Sequence, residues 1–477
     1  MSLNGLPNEI ALSIIRYSAL SESDLAALCL SSRHLRQLTT LILYRKLCYC
    51  RDDNYVDNHQ VPLHLRSLLR NRVLGEFVQE MDISPKSCRL LGFLFNYNDK
   101  ILIQKVVKEI IDIGYIELHY SFSKITAGNR WEVQRKWCEE ACEGRWYALI
   151  TIVVFLCPGL RQIHYTRCHR IIAKDGEENY MEWFFRVVRH SQQGMRGRTV
   201  RTEPGGVLSG PQRTTNVVPL LPHLRHVNFN FRPQLGPPPR DTESLEASLL
   251  IQTPSVESLQ VNGLVQFTQV GFDVLLGLKS LTLEQCVCEA SVVAYILRAC
   301  VRLEYFSYVH GHKKVAGDRF EPLLMMDGLS CLTGSLRELR LARGKPRAFK
   351  FKSARNSRLG SLSDFNILIN LHLPVEFLVG VKADPSDVSD AANPWVPELW
   401  ELVPRSLENL LISGHNKEVI LAFAQKEVLE LVRRKASVAP KLKSIALVNT
   451  SLDEVDGRTL ALLREESAAN QIWLSIQ

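Results

Sequence analysis

Apolar and polar positions alternate along the chain in one recurring frame. In the segment Leu278–Cys288, Leu278, Leu281 and Leu283 have the spacing L-x-x-L-x-L, and Cys286 lies three residues beyond the last leucine. Successive side chains of a strand point to opposite faces, so Leu281 and Leu283 are expected to face a core. A cysteine just past the strand can hydrogen-bond the turning backbone. The segment therefore predicts a short strand with one buried face, followed by a turn.

The same frame recurs along most of the chain, which is typical of leucine-rich repeats. The copies are Leu160/Ile163/Tyr165, Leu224/Val227/Phe229, Val256/Leu259/Val261, Leu303/Phe306/Tyr308, Leu336/Leu339/Leu341, Leu368/Leu371/Leu373, Leu407/Leu410/Ile412 and Leu442/Ile445/Leu447, with an earlier copy at Val78/Met81/Ile83 and a loose match at Ile113/Ile116/Leu118. No single unit can bury its apolar edge, so neighbouring units must stack into one core. An ordinary α/β domain with leucine-rich strands is the alternative interpretation.

Apolar stripes at helical spacing alternate with these strands. The stripes are Ile103, Val106, Val107, Ile110 and Ile111, ended by Gly114; Met181, Phe184, Phe185 and Val188; Val293, Ile296, Leu297 and Cys300; and Ile420, Phe423, Ala424, Val428 and Leu431. A last helix, Leu460–Glu466, leads to an edge strand, Ile472–Ile476. We therefore predict an α/β fold. Residues 1–50 form a helical domain, and residues 51–477 form a degenerate leucine-rich-repeat solenoid, a horseshoe with irregular insertions, with an irregular first part (51–150) and clearer repeats afterwards (151–477).

The segment Leu6–Leu47 has the pattern of three short helices. Pro7 suits a first helical turn because its missing N–H would have no partner there. Ser21 and Asp24 resemble a capping box ahead of the second helix. A unit of about 45 residues is too small to be comfortable alone, so it should dock on the rest of the chain or on another protein.

This segment resembles an F-box, in particular the form found in fungal F-box proteins. The matching positions are Leu6-Pro7-x-Glu9-Ile10, Ile14-Ile15, Leu20-Ser21-x-x-Asp24-Leu25, Leu28, Ser31-Ser32-Arg33-x-Leu35 and Leu43-Tyr44-Arg45. Ser18 and Ala19 are inserted relative to that pattern, and Tyr44 stands where a tryptophan is common. Leu65–Ile83 resembles the helix and first strand that follow an F-box in that family.

The resemblance implies a partner and a function. The helical segment would bind the Skp-type adaptor of an SCF ubiquitin ligase, and through it a cullin-RING ligase, while the repeats hold an unknown protein substrate. Adaptor binding is thereby assigned to Leu6, Pro7, Ile10, Ile14, Ile15, Leu25, Leu28, Leu35 and Tyr44. The alternative is a small helical cap that seals the first repeat.

Polar residues between the strand anchors are the candidate substrate contacts. In a horseshoe they line the concave face, which the helices leave open. They are Gln162, His164, Asn228, Gln260, Thr282, Ser307, Arg340 and His372. A merely solvated face is the alternative interpretation.

Composition adds few constraints. The chain of 477 residues is 46% hydrophobic and 23% charged, as expected of a soluble globular protein, and its net charge of +8 does not demand nucleic acid. Twelve cysteines are too dilute for a disulfide scaffold. The amino terminus lacks a basic n-region, and the longest apolar run, Trp146–Cys157, is too short to span a bilayer. We expect an intracellular protein of the nucleus or cytoplasm, with reduced thiols and no membrane partner.

Catalytic signatures are absent from the sequence. It contains no Walker loop, H-E-x-x-H or G-x-S-x-G, and no G-x-G-x-x-G after a strand. We therefore expect no enzyme activity, no cofactor and no metal. Cys138 and Cys142, one helical turn apart, are interpreted as structural thiols, and Trp131, Trp137 and Trp146 as core residues.

The basic run Arg340–Arg358 has no acidic residue before Asp364. It could bind phosphate on a modified substrate, act as a nuclear import signal, or contact nucleic acid. Few aromatic residues are interleaved with the charges, so base stacking has little support and nucleic-acid binding is the less favoured alternative. A basic loop that is merely solvated is the simplest interpretation. A protein-interaction scaffold outside ubiquitination is a further hypothesis.

Overall fold

A computed structural model describes residues 6–18, 20–50, 60–84, 95–121, 130–167, 180–196, 219–231, 251–263, 277–311, 322–343, 359–379, 398–414, 420, 422–448 and 457–476. The contacts divide the chain into two units. Unit 1 comprises Met1–Gly236 and Thr253–Val256, and unit 2 comprises Pro237–Gln252 and Glu257–Gln477.

In unit 1, three helices precede strand–helix repeats. The helices are α1 (Asn8–Tyr17), α2 (Glu22–Ser31) and α3 (Arg33–Leu43). The repeats contain β1 (Lys46–Cys50), α4 (Gln60–Arg70), α5 (Val73–Phe77), β2 (Glu80–Ser84), α6 (Tyr97–Ser121), α7 (Arg130–Cys142), α8 (Trp146–Phe155), β3 (Gln162–Arg167), α9 (Tyr180–Arg196) and β4 (His226–Phe231). The four strands pair in chain order and run parallel.

Unit 2 continues the same alternation. Its elements are β5 (Ser258–Asn262), β6 (Ser280–Cys286), α10 (Ala290–Ala299), β7 (Tyr305–His310), α11 (Pro322–Leu329), β8 (Glu338–Arg343), β9 (Asn370–Pro374), α12 (Val375–Val379), α13 (Leu399–Leu402), β10 (Asn409–Ser413), a π-helical turn (Ala424–Val428), α14 (Leu429–Arg433), α15 (Lys435–Val438), β11 (Ser444–Val448), α16 (Gly457–Ala469) and β12 (Trp473–Ile476). These strands also pair in chain order and in parallel.

Equivalent anchors of successive strands lie side by side. The register places Leu281 between Leu259 and Phe306, and all three side chains are fully buried. Intervening residues such as Thr282 are partly exposed. The alternation buries one face of most strands and leaves the other mainly polar, so the predicted strand–helix repeats are confirmed.

The structure places the predicted turn inside β6 and not after it. Gln285 has φ of 53°, a left-handed conformation, and the register with β7 shifts between Leu283 and Cys286, so Cys286 still belongs to the strand. The buried Cys286 Sγ lies 3.5 Å from the carbonyl oxygen of Val261 in the preceding strand and can donate a hydrogen bond to it. The same Sγ lies 3.2 Å from the carbonyl oxygen of Glu284, which is the predicted contact with the turning backbone, whereas the link to the preceding repeat was not predicted.

The residue before most strands links consecutive repeats through the backbone. Its carbonyl accepts hydrogen bonds from the N–H groups of two successive residues in the next repeat, at 2.7–3.1 Å. The acceptors and their donors are, in unit 1, Arg45 with Gln79 and Glu80, Gln79 with Arg161 and Gln162, and Arg161 with Arg225 and His226; in unit 2, Glu257 with Lys279 and Ser280, Lys279 with Glu304 and Tyr305, Glu304 with Arg337 and Glu338, Arg337 with Ile369 and Asn370, Ile369 with Glu408 and Asn409, and Glu408 with Lys443 and Ser444.

The structure corrects the beginning of the repeats. The first strand is β1, which ends the predicted helical domain and pairs with β2. The copy Val78/Met81/Ile83 therefore belongs to the second strand. The frame is recognisable in β1 if tyrosines replace leucines, because Tyr44, Leu47 and Tyr49 have the spacing of the other anchors.

Two further expectations were wrong. The helix α6 continues past Gly114 to Ser121, so the loose match Ile113/Ile116/Leu118 is helical. One glycine costs a helix only about 1 kcal/mol, which the packing of the buried stripe Ile103–Ile111 can override. Trp131 is 64% exposed and is not a core residue, whereas Trp137 and Trp146 are buried.

Candidate functional site

The first three helices form a small bundle around their own apolar core. That core consists of Ala11, Ile15, Leu25, Leu35 and Leu38. The predicted capping box is present, because the Ser21 hydroxyl accepts a hydrogen bond from the N–H of Asp24 at 3.2 Å and the Asp24 carboxylate accepts one from the N–H of Ser21 at 3.0 Å. Hydrogen bonds from Ser21 lower the pKa of Asp24. These short helices are thus stabilised by a shared apolar core and by the capping box at the start of α2.

Membership of this core changes the assignment of three predicted adaptor contacts. Ile15, Leu25 and Leu35 are only 3–7% exposed. A partner cannot reach these side chains without opening the bundle, so in this structure they support the packing of the three helices. Leu6 and Leu28 are half-buried and pack against the same core.

Ile10, Ile14 and Tyr17 form an exposed apolar row on α1. They are 50%, 42% and 88% exposed, and their spacing places them on one side of the helix. Pro7, one turn before Ile10, is exposed as well. We call Ile10, Ile14 and Tyr17 the α1 row. It contains two of the residues predicted to contact an adaptor.

Tyr17 and Leu30 were not predicted as contacts. Leu30, on α2, is 80% exposed. Tyr17 could have been found from the sequence, since it continues the helical spacing of Ile10 and Ile14. Leu30 could not, because an apolar residue on a short helix gives no indication of its face until the core is known.

Tyr44 belongs to the start of the repeats. Its ring contacts the ring of His64 edge-on, with centroids 6.2 Å apart. With Lys46, Cys48 and Gln60, it lines a small cavity beside β1. Tyr44 occupies the first anchor position of the frame, so its packing is explained by the repeat without an adaptor.

In unit 1 the predicted polar-face residues lie together. Nε2 of His164 is 2.6 Å from the Nε2 atom of Gln162, and the register places His164 between Asp82 and Asn228. Asp82 was not predicted as part of this face. Its strand, β2, was identified from its apolar anchors, and the residue between two anchors faces the polar side for the same reason as His164.

In unit 2 the third residues of successive strands form one row of the polar face. The predicted Gln260, Thr282, Arg340 and His372 all belong to it, with Ser307 between Thr282 and Arg340. We call these five residues the third-position row. The register continues it through Leu411, Ala446 and Ser475, which were not predicted.

The first residues of four strands form a neighbouring row with satisfied hydrogen bonds. The Asn370 amide donates to the Glu338 carboxylate at 3.2 Å, the Asn409 amide donates to the Asn370 side-chain oxygen at 2.8 Å, and the Ser444 hydroxyl donates to the Asn409 oxygen at 2.6 Å. Their polar groups are therefore occupied by one another.

The third-position row is electrostatically different. Burial and, secondarily, the Arg340 guanidinium lower the pKa of His372 to about 4, so its imidazole is neutral at pH 7. Its Nε2 lies 3.2 Å from the Ser413 hydroxyl. Nε of Arg340 and the hydroxyl of the buried Ser307 have no hydrogen-bond partner. The row thus presents a cation beside neutral polar groups.

Other candidate chemistry receives little support. Burial raises the pKa of Cys138 to about 12 and also raises that of Cys142, which keeps both thiols protonated. Among the described residues no cluster of metal-ligating side chains is found, and no described helix combines the length and apolarity needed to cross a bilayer. Of the basic run, only Arg340 and Arg343 are described, and residues 344–358 lie outside the described ranges.

Comparison with known families gives two matches. A model described as leucine-rich repeat domain matches residues 57–467, and a model described as F-box-like matches residues 3–50. No curated protein matches the chain.

Proposed function

Since the chain belongs to the leucine-rich repeat domain family and begins with an F-box-like segment, we propose that it is the substrate receptor of an SCF-type ubiquitin ligase. The helical bundle binds a Skp-type adaptor, and through it a cullin-RING ligase. The polar face of the repeats binds the target protein. Assignment to the fungal form of the F-box remains a prediction.

The α1 row is the observation that carries this proposal. Exposed apolar side chains that lie together on one surface can mark a protein-interaction site, and this row lies on a bundle that has its own apolar core. A helical cap for the first repeat would turn its apolar side chains towards that repeat. The exposure of Ile10, Ile14 and Tyr17 favours an external partner instead.

The proposed mechanism is tethering. Holding adaptor and target on one chain makes ubiquitin transfer effectively intramolecular, so proximity replaces chemistry as this protein's contribution. We propose no catalytic residue and no cofactor for the chain. An intracellular location, in nucleus or cytoplasm, follows from the same proposal.

The test is co-purification of the full chain with a co-expressed Skp-type adaptor. Truncating a central interface anchor typically costs about 2 kcal/mol, which is about thirtyfold in Kd. We expect the double substitution Ile10→Ala with Ile14→Ala to weaken binding by at least that factor. Alanine keeps the helix, and both side chains are largely exposed, so the melting curve should be unchanged.

Two further variants separate contact from folding. Leu323→Ala, on α11 of unit 2, removes a side chain of similar exposure (45%) and should leave adaptor binding intact. Ile15→Ala should destabilise the bundle itself. If the wild-type chain folds but retains no adaptor, or if the Ile10/Ile14 variant binds as tightly as wild type, the proposal fails.

A further inference from the structure

Two neighbouring rows of unit 2 differ in how their polar groups are satisfied. Glu338, Asn370, Asn409 and Ser444 are hydrogen-bonded to one another across four strands. Two residues further along the strands, Arg340 lies beside Ser307 and His372 in register. A buried donor without a partner costs about 1–3 kcal/mol, and a charged one costs more, so unpaired groups here need an explanation.

Arg340 contrasts with the cations at the start of the strands. Lys279 pairs with Glu257 at 2.9 Å, and Lys443 pairs with Glu408 at 2.6 Å. Nε of Arg340 is buried without a hydrogen-bond partner, and no carboxylate forms an ion pair with Arg340 among the described residues.

The surroundings of Arg340 favour an anion. The hydroxyl of its neighbour Ser307 is buried and also lacks a partner. The carboxylate of Glu338, on the same strand, already accepts the Asn370 amide. On the other side of Arg340, His372 is neutral at pH 7 because burial and Arg340 lower its pKa to about 4. One positive charge therefore remains to be balanced.

We propose that Arg340 binds a side-chain carboxylate in an acidic segment of the target protein. This inference rests on the proposed function, since it specifies what the polar face recognises. A guanidinium fits a carboxylate in a two-bond arrangement. The single charge of Arg340 balances one carboxylate, whereas phosphate carries nearly two charges at pH 7.

The third-position row also predicts what should lie next to that carboxylate. Leu411 and Ala446 continue the row beyond His372 and are partly exposed. Leu411 is two strands from Arg340, or about 10 Å. A peptide in the polyproline II conformation, with about three residues per turn and a rise of about 3.1 Å per residue, places side chains three positions apart on one side at that spacing. The favoured target segment therefore has an acidic residue separated by two positions from an apolar one.

The test uses the full chain and labelled peptides of about a dozen residues, randomised around Asp or Glu with Leu three positions away. Matched sets carry Asn or Gln, or phosphoserine, at the acidic position. By fluorescence anisotropy, acidic peptides should bind about tenfold more tightly than their amide analogues. Arg340→Gln should abolish this preference. Arg337→Gln, which removes the same charge three residues earlier from a residue facing Glu304, should keep it.

Each outcome decides the question. Loss of acid selection in Arg340→Gln alone supports the inference. The inference is overturned if the wild type binds none of the peptides or does not prefer acidic peptides to their amide analogues. It is also overturned if Arg340→Gln and Arg337→Gln prefer acidic peptides equally. A stronger, Arg340-dependent preference for phosphoserine overturns the carboxylate assignment. Adaptor binding is measured in the same samples, so its loss contradicts the proposed function and not the recognition by Arg340.

Discussion

Gly75 tests how tightly consecutive repeats of unit 1 are packed. It lies in the short helix α5, and a Cβ built on it would be 1.8 Å from the carbonyl oxygen of Leu156. Gly159 faces it reciprocally, since its Cβ would be 2.2 Å from the carbonyl oxygen of Glu76. Two segments of backbone therefore approach each other where only glycine fits.

Two effects oppose each other in Gly75→Ala. Helix propensity alone predicts that alanine stabilises the chain by about 0.5–1 kcal/mol. The steric effect predicts the reverse, because ordinary contacts begin near 3.4 Å and the obstacle is backbone, which cannot rotate away. Overpacking typically costs about 1–3 kcal/mol, and a contact this short belongs at the upper end of that range. We expect a net destabilisation of about 2 kcal/mol.

The assay is urea denaturation of the full chain, followed by far-ultraviolet circular dichroism. The unfolding transition that reports unit 1 should move to lower urea in Gly75→Ala. Gly334→Ala is the matched control, since nothing lies within 4 Å of its Cβ and it should be neutral or slightly stabilising. Gly75→Ala with Gly159→Ala should cost less than the two single changes together, because one displacement relieves both clashes. A Gly75→Ala midpoint at or above that of wild type would refute the reasoning.

Two further predictions concern the bundle and the polar face. Ser21→Ala should destabilise the bundle by about 1 kcal/mol, because the hydroxyl no longer caps α2. Thermal melting monitored by circular dichroism should show a lower midpoint. An unchanged midpoint would contradict the role of the cap. Arg340→Gln should raise the pKa of His372 from about 4 but leave it below 6.5, since burial, the larger cause, remains. An NMR titration of the His372 imidazole measures this. A pKa that stays at 4 would exclude Arg340 as a cause, and a pKa that reaches 6.5 would exclude burial.

The strand positions were predictable because a single local frame determines them. Leu281 and its equivalents face the core in every repeat, so spacing alone identified β2 to β11. The strand β1 was missed because Tyr44 and Tyr49 replace leucines and because the preceding residues had the pattern of a helix. The end of α6 was misplaced because Gly114 was given more weight than the packing of the stripe before it.

The candidate sites were less predictable, since they depend on which side of a helix meets the core. Ile14 and Ile15 are adjacent and chemically alike, yet one is 42% exposed and the other 3%. Only the packing of α1 on α3 separates them. Arg340 was identified as a polar-face residue, but its lack of a partner depends on the hydrogen bonds that its neighbours form.

The paired N–H groups that bind one carbonyl before most strands have a consequence for how this chain tolerates changes in length. The same link joins residues only 22 positions apart, from Glu257 to Lys279, and residues 82 positions apart, from Gln79 to Arg161. Strand alignment is therefore independent of the length of the connection. The length of a connection can therefore change while the polar face keeps its alignment, provided that the helices packed on the strands, such as the buried α8, are retained.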